Sequence, residues 1–139
     1  MKLNTLKMGA LALMGLTSFA FGEVELDGYC PVCYVAAGKA VQGSKEFKVE
    51  HDGETYYFVN ADAKSAFEKS PEKFIPAYDG WCAFGISKGK KLEADPTQFS
   101  VVDGTIYLSS SAEVKKMFDA DAKKVIMEAD KKWMMDKKM

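Results

Sequence analysis

Phe47-Lys48-Val49-Glu50-His51-Asp52-Gly53-Glu54-Thr55-Tyr56-Tyr57-Phe58 is the stretch that decides the fold. Asp-Gly between alternating apolar residues signals a two-residue hairpin turn, because both turn positions need a left-handed backbone. With Asp52 and Gly53 at the turn, His51 faces Glu54, Val49 faces Tyr56 and Phe47 faces Phe58. Facing residues share one side of a sheet, so Phe47, Val49, Tyr56 and Phe58 make an apolar face, with His51 at its turn end. A second hairpin reads the same way from Phe99 to Leu108 around Asp103-Gly104. It puts Phe99, Val101, Ile106 and Leu108 on one face.

Helical signals follow each hairpin. Asn60 is a capping residue, with Ala63, Ala66 and Phe67 at inward spacing behind it. Pro71 and Pro76 punctuate the stretch to Tyr78. Ser110 and Glu113 make a capping box, and Val114, Phe118, Ala122, Val125, Ala129 and Trp133 then recur as one apolar stripe. The lysine pairs at 115–116, 123–124 and 131–132 fall mostly off that stripe and read as a solvated face. No repeat of solenoid period, low-complexity tract or linker interrupts the order. The expected architecture is α+β: a small single domain of two antiparallel β-hairpins packed with short helices and a C-terminal helical region.

The N-terminus has the three parts of a secretory signal. Lys2 and Lys7 make it positive, Met8 to Phe19 is uncharged and mostly apolar, and Ala20-Phe21-Gly22 offers small residues for a cut before Glu23. An apolar run of about 12 residues falls short of the roughly 20 that a membrane-spanning helix needs. The reading is a signal peptide over residues 1–22 and one domain over residues 23–139. The domain would be exported: periplasmic in a Gram-negative source, otherwise secreted, with no membrane span after cleavage.

The whole chain has a formal net charge of −1 and contains no arginine. Bidentate phosphate recognition favours arginine, and a nucleic-acid footprint needs a basic surface, so nucleic acid is excluded as a partner. A phosphate loop and a His–Glu zinc-protease motif are absent, and one histidine limits any imidazole-dependent chemistry to His51. The chain reads as non-enzymatic, with thiol redox the one enzymatic alternative.

All three cysteines follow the signal. Cys30-Pro31-Val32-Cys33 sets two thiols two residues apart, a spacing that grips one soft cation or forms a redox-active disulfide. Cys82 stands far along the chain in Gly80-Trp81-Cys82-Ala83-Phe84-Gly85. If the fold brings it beside Cys33, three sulfurs make a site for Cu(I), or most of one for Zn²⁺ with His51 as the one imidazole. An oxidising compartment favours pairing, and an odd count leaves one thiol over. A structural disulfide within the trio, or Cys82 as a small buried hydrophobe between Trp81 and Phe84, are the plainer alternatives. His51 reads more readily as a solvated turn residue than as a ligand. Met127, Met134, Met135 and Met139 could offer thioethers to copper, although methionines at helical spacing usually fill a core or a partner surface. A thioredoxin-like fold would need its Cys-x-x-Cys at the head of a long helix; here Gly38 and Gly43 follow Cys33 within ten residues.

Several further pieces, in order, resemble the YHS-domain family in its exported single-domain form. They are Gly28-Tyr29-Cys30-Pro31-Val32, Gly38-Lys39-Ala40-Val41-Gln42-Gly43-Ser44 and Gly53-Glu54-Thr55-Tyr56-Tyr57-Phe58. Phe67 with Pro71-Glu72-Lys73-Phe74, Tyr78-Asp79-Gly80-Trp81-Cys82-Ala83 and Val102-Asp103-Gly104-Thr105-Ile106-Tyr107-Leu108 complete the set. The resemblance runs from about Gly28 to Trp133. It implies a small α+β domain and, for some relatives, heavy-metal handling. Metal-associated members carry a Pro-Val-Cys element, matched by Pro31-Val32-Cys33, and two further cysteines near the hairpin-to-helix junction. Val59 and Ala63 stand at those two positions here, and the Tyr-His-Ser tripeptide is absent. Of the family's ligands only Cys33 transfers, with Cys30 and Cys82 as local replacements.

The expected function is soft-metal binding, copper ahead of zinc, through Cys30, Cys33 and Cys82. The partner would be the ion itself or an envelope protein. Thiol–disulfide redox, or an interaction module with one disulfide, are the alternatives.

Overall fold

The computed structural model describes residues 23–138, so the signal peptide read over residues 1–22 lies outside the described residues. The elements run α1 (Pro31–Ala36), β1 (Ser44–His51), β2 (Glu54–Phe58), α2 (Ala61–Lys69), α3 (Ala83–Ser87), β3 (Asp95–Val102), β4 (Thr105–Ser109), α4 (Ala112–Ala120) and α5 (Ala122–Lys138). β1 pairs with β2 and β3 with β4, each as an antiparallel two-stranded sheet. The α+β plan of two hairpins with helices against them is the observed one. Among the described residues, no helix is long and apolar enough to cross a membrane.

The chain repeats itself. A tight turn at Glu25–Gly28 leads into α1, and another at Ala77–Gly80 leads into α3. Each holds three consecutive left-handed residues: Leu26, Asp27 and Gly28 at φ 60°, 51° and 86°, and Tyr78, Asp79 and Gly80 at 61°, 53° and 84°. Such backbone costs a non-glycine residue about 1–2 kcal/mol, so its recurrence with matching angles marks a shared design. A hairpin and a capped helix follow each turn. The caps are Asn60, whose Oδ1 accepts from the N–H of Ala63 at 2.9 Å, and Ser111, whose Oγ accepts from the N–H of Val114 at 3.2 Å. The helices end at Ser70 (φ −151°, ψ 71°) and Asp121 (φ −153°, ψ 62°). With this alignment in view the sequence shows it too: Asp27-Gly28-Tyr29-Cys30 answers Asp79-Gly80-Trp81-Cys82, and Phe67 answers Phe118. Twenty-odd unmatched residues around each short motif hide a repeat of this length.

The hairpin turns fall where expected, with His51 opposite Glu54 and Val49 opposite Tyr56. Phe47 does not face Phe58. The register slips between Ser44 and Lys48, so Ser44 faces Phe58 while Lys48 faces Tyr57. The second hairpin slips likewise, between Asp95 and Phe99. Phe47 still packs, half-buried, against the first core. Gly43 lies just before the slip: a Cβ there would lie 2.7 Å from the Tyr57 carbonyl carbon, so the chain enters β1 pressed against β2. The cap of α4 is Ser111 rather than Ser110, and the expected single C-terminal stripe breaks at Asp121 into two helices.

Three clusters hold the molecule. Cys30, Val32, Cys33, Tyr56, Phe58, Ala63, Phe67 and Phe74 form the first-half core. Tyr78, Ala83, Ile86, Tyr107, Phe118, Val125 and Ala129 form the second, closed by α5. Between them Tyr34 of α1 packs with Ile106 and Leu108 of β4. Its hydroxyl donates to the Pro96 carbonyl at 2.8 Å and its ring meets Phe99 edge-on at 4.7 Å. Tyr34 is thus the residue by which the first half grips the second.

Candidate functional site

Cys30 and Cys33 sit at the head of α1. Cys30 is the capping residue, with extended backbone (φ −73°, ψ 118°), and Pro31 opens the helix, where a missing N–H costs nothing. The Cys30 N–H donates to the Val41 carbonyl at 2.8 Å, and a bridge between Tyr29 and Gln42 ties the same loop down. The Cys33 N–H donates to the Cys30 carbonyl at 3.2 Å, closing the first turn. These bonds aim both side chains into one place. The two thiols lie near each other, and neither forms a disulfide. Burial, then the hydrogen bond and the charge of Cys30, push the Cys33 thiol up to about 12. Neighbouring Tyr56, on β2, is raised as well, first by burial and then by Glu54, whose Oε1 accepts from its hydroxyl at 3.1 Å.

Cys82 heads α3 at the equivalent point of the second half, with a similar backbone (φ −57°, ψ 121°) and its N–H on the Leu92 carbonyl at 3.0 Å. Its sulfur is used differently: Sγ accepts from the N–H of Gly85 at 3.4 Å and caps the helix. Gly85 stands where Cys33 stands in the first half. A Cβ on it would lie 3.0 Å from Leu92 Cγ and 3.1 Å from the Lys90 carbonyl oxygen, so the following loop occupies the space that a second thiol would need.

Among the described residues, no group of three or more His, Cys, Asp or Glu side chains is gathered so as to hold a metal ion. Cys30, Cys33 and Cys82 do not form such a group: the trio divides into a pair and a cap. Cys82 is fully buried, as a small hydrophobe would be. His51 lies at the end of β1, its ring edge-on to Phe67 at 5.9 Å and its Nε2 3.4 Å from Asp52 Oδ2. Met127 and Met134 are exposed on α5. Met139 lies outside the described residues.

Gly85-Ile86-Ser87-Lys88-Gly89 has the spacing of a hydrolase nucleophile elbow, a match that a search by motif alone finds. Ser87 does not sit on a strand-to-helix turn. It ends α3, buried, with its Oγ donating to the Phe84 carbonyl at 2.6 Å.

The chemistry available at the head of α1 is therefore that of a sheltered dithiol. The donor set suits a soft ion content with two sulfurs and falls short of the four ligands a structural zinc takes. Comparison with protein-family models, curated proteins and solved structures gives no match.

Proposed function

We propose that this chain is an exported, non-enzymatic domain that holds a soft metal ion, copper ahead of zinc, on the thiolates of Cys30 and Cys33. The observation that carries the reading is the placing of two buried cysteines one turn apart at a helix head, with the backbone held by the Cys30 N–H on the Val41 carbonyl and the Cys33 N–H on the Cys30 carbonyl. Copper comes first because two thiolates are a soft, low-coordinate set. Cys82 enters as a structural cap rather than a third ligand. The bound ion would take the place of the thiol protons, so loading releases them.

A fast thiol–disulfide catalyst is the weaker reading. It needs a thiolate near neutral pH, and burial holds the Cys33 thiol at about 12. α1, six residues long, is also not the long helix of a thioredoxin-like site.

Anaerobic titration with Cu(I) against a chromophoric competitor tests the proposal. One ion per chain is expected for the wild type and for Cys82→Ser, and none for the Cys30→Ser/Cys33→Ser double variant. Equal binding by all three would sink it. A free-thiol count on the native protein runs alongside: one free thiol and a mass about 2 Da low would favour the disulfide-bonded interaction module instead.

A further inference from the structure

The dithiol offers its two sulfurs unequally. Cys30 has no exposed surface, whereas Cys33 keeps 8% exposure. An approaching molecule reaches Cys33 first. The two cysteines stand one helical turn apart, with the Cys33 N–H on the Cys30 carbonyl at 3.2 Å, and among the described residues no group of three or more His, Cys, Asp or Glu gathers there to hold an ion. We propose that the pair is a redox gate with a fixed order of events: a disulfide partner engages Cys33, Cys30 resolves the mixed disulfide, and the closed Cys30–Cys33 bond then shuts out the ion. The gating of ion binding rests on the metal-binding reading above; the order of exchange does not.

The step balances as ordinary thiol–disulfide exchange. The Cys33 sulfur, losing its proton to solvent, attacks one sulfur of the partner disulfide RS–SR. A Cys33–SR bond forms and one RS⁻ leaves. The Cys30 sulfur, losing its proton likewise, attacks the Cys33 sulfur. The Cys30–Cys33 bond forms and the second RS⁻ leaves. The domain gives up two electrons and two protons; the partner gains two electrons and becomes two thiols. A gate needs this once per change of state, not repeated turnover, so a sheltered pair is adequate.

Oxidised glutathione is the probe, on the Cys82→Ser background so that the third thiol does not report. The parent should lose about 2 Da and hold no adduct, both gate thiols disappearing together. Adding Cys30→Ser should leave one glutathione trapped on Cys33. Adding Cys33→Ser should slow adduct formation at least tenfold, because only the fully buried sulfur remains. Acid quenching of the unsubstituted protein early in the reaction, followed by peptide mapping, gives the same answer if a variant fails to fold: the transient adduct belongs on Cys33. Equal or faster trapping at Cys30 would overturn the order. The oxidised protein should bind Cu(I) at least tenfold more weakly and recover with reductant. Unchanged Cu(I) binding after oxidation would overturn the gate, whereas absence of Cu(I) binding by the reduced protein would overturn the metal-binding reading and leave the exchange order standing.

Discussion

At the head of α1 the Cys30 side chain makes no cap bond and lies one turn from Cys33; at the head of α3 the Cys82 sulfur accepts from the N–H of Gly85. The approaches to the two are alike: three left-handed residues, an Asp-Gly corner, an aromatic residue, then the cysteine. What differs is the residue three places on. It is Cys33 in the first half, where the capping cysteine makes no side-chain cap bond, and Gly85 in the second, where the sulfur caps the helix. One position therefore separates a candidate binding pair from a structural residue. The second half has also gained α5, which covers its core through Val125 and Ala129 and through a hydrogen bond from the Tyr78 hydroxyl to Asp130 at 2.8 Å. The first half ends its equivalent helix in a turn at Pro71–Lys73, after which Phe74 and Ile75 pack on its core, and among the described residues no long helix covers it. Repetition supplied the frame, and divergence left chemistry on one side and reinforcement on the other.

The largest effect should come from cutting equivalent core residues. Phe67 and Phe118 are both fully buried, and Phe→Ala at either should cost about 3–5 kcal/mol. Because Tyr34 ties the halves together, denaturant unfolding of each variant should remain a single transition by fluorescence and circular dichroism alike. Two separated transitions would break the picture of one cooperative domain and make the halves independent.

Gly85→Ala sharpens the contrast between the helix heads. Half-exposed Leu92 can give way, but the Lys90 carbonyl is held by the bond from the Lys90 N–H to the Gly85 carbonyl at 2.9 Å. Overpacking against it should exceed the helix-propensity gain and lower stability by about 1–2 kcal/mol. Cys33→Ala, where a side chain is already housed, should bring no such overpacking. A stabilised Gly85→Ala would mean that the second head has room for a thiol after all.

Alkaline pH tests the shelter of the first half's thiol. In the unfolded chain the Cys33 thiol ionises near its ordinary 9.0, and in the fold it keeps its proton to about 12. Across that window the unfolded state binds fewer protons, so stability falls as pH rises. Between pH 8 and pH 10.5 the reduced protein should lose up to about 2 kcal/mol that Cys33→Ala does not lose. Buried Tyr34 and Tyr56, both raised chiefly by burial, add a loss that both proteins share. Equal pH slopes for the two proteins in urea melts would show that the thiol is not sheltered as described.

The smallest effect is at the caps. Asn60→Ala and Ser111→Ala should each cost about 1 kcal/mol, nearly equally, since both side chains satisfy the same orphan N–H. A large inequality in their melting shifts would mean that the second half's helix leans on α5 more than on its own cap.

Local chemistry was legible in the chain itself. Asp52-Gly53 and Asp103-Gly104 fix their turns because the left-handed backbone is a property of two residues, and Asn60 caps because its partner is three residues away. The Cys30–Cys33 pair is local in spacing, one helical turn apart, while the Val41 carbonyl and the Tyr29–Gln42 bridge hold its loop in place. Tertiary structure decided everything that depends on what packs opposite. It slipped the register of the first hairpin, so that Ser44 rather than Phe47 lies opposite Phe58. It broke the C-terminal stripe at Asp121, where the apolar spacing on either side had read as one helix. It also set Cys82 in its own half, under a loop that fills the space beside Gly85. Side chains 49 and more residues apart meet only if burial of intervening surface rewards the closure of that loop, and no spacing of cysteines along a chain carries that information.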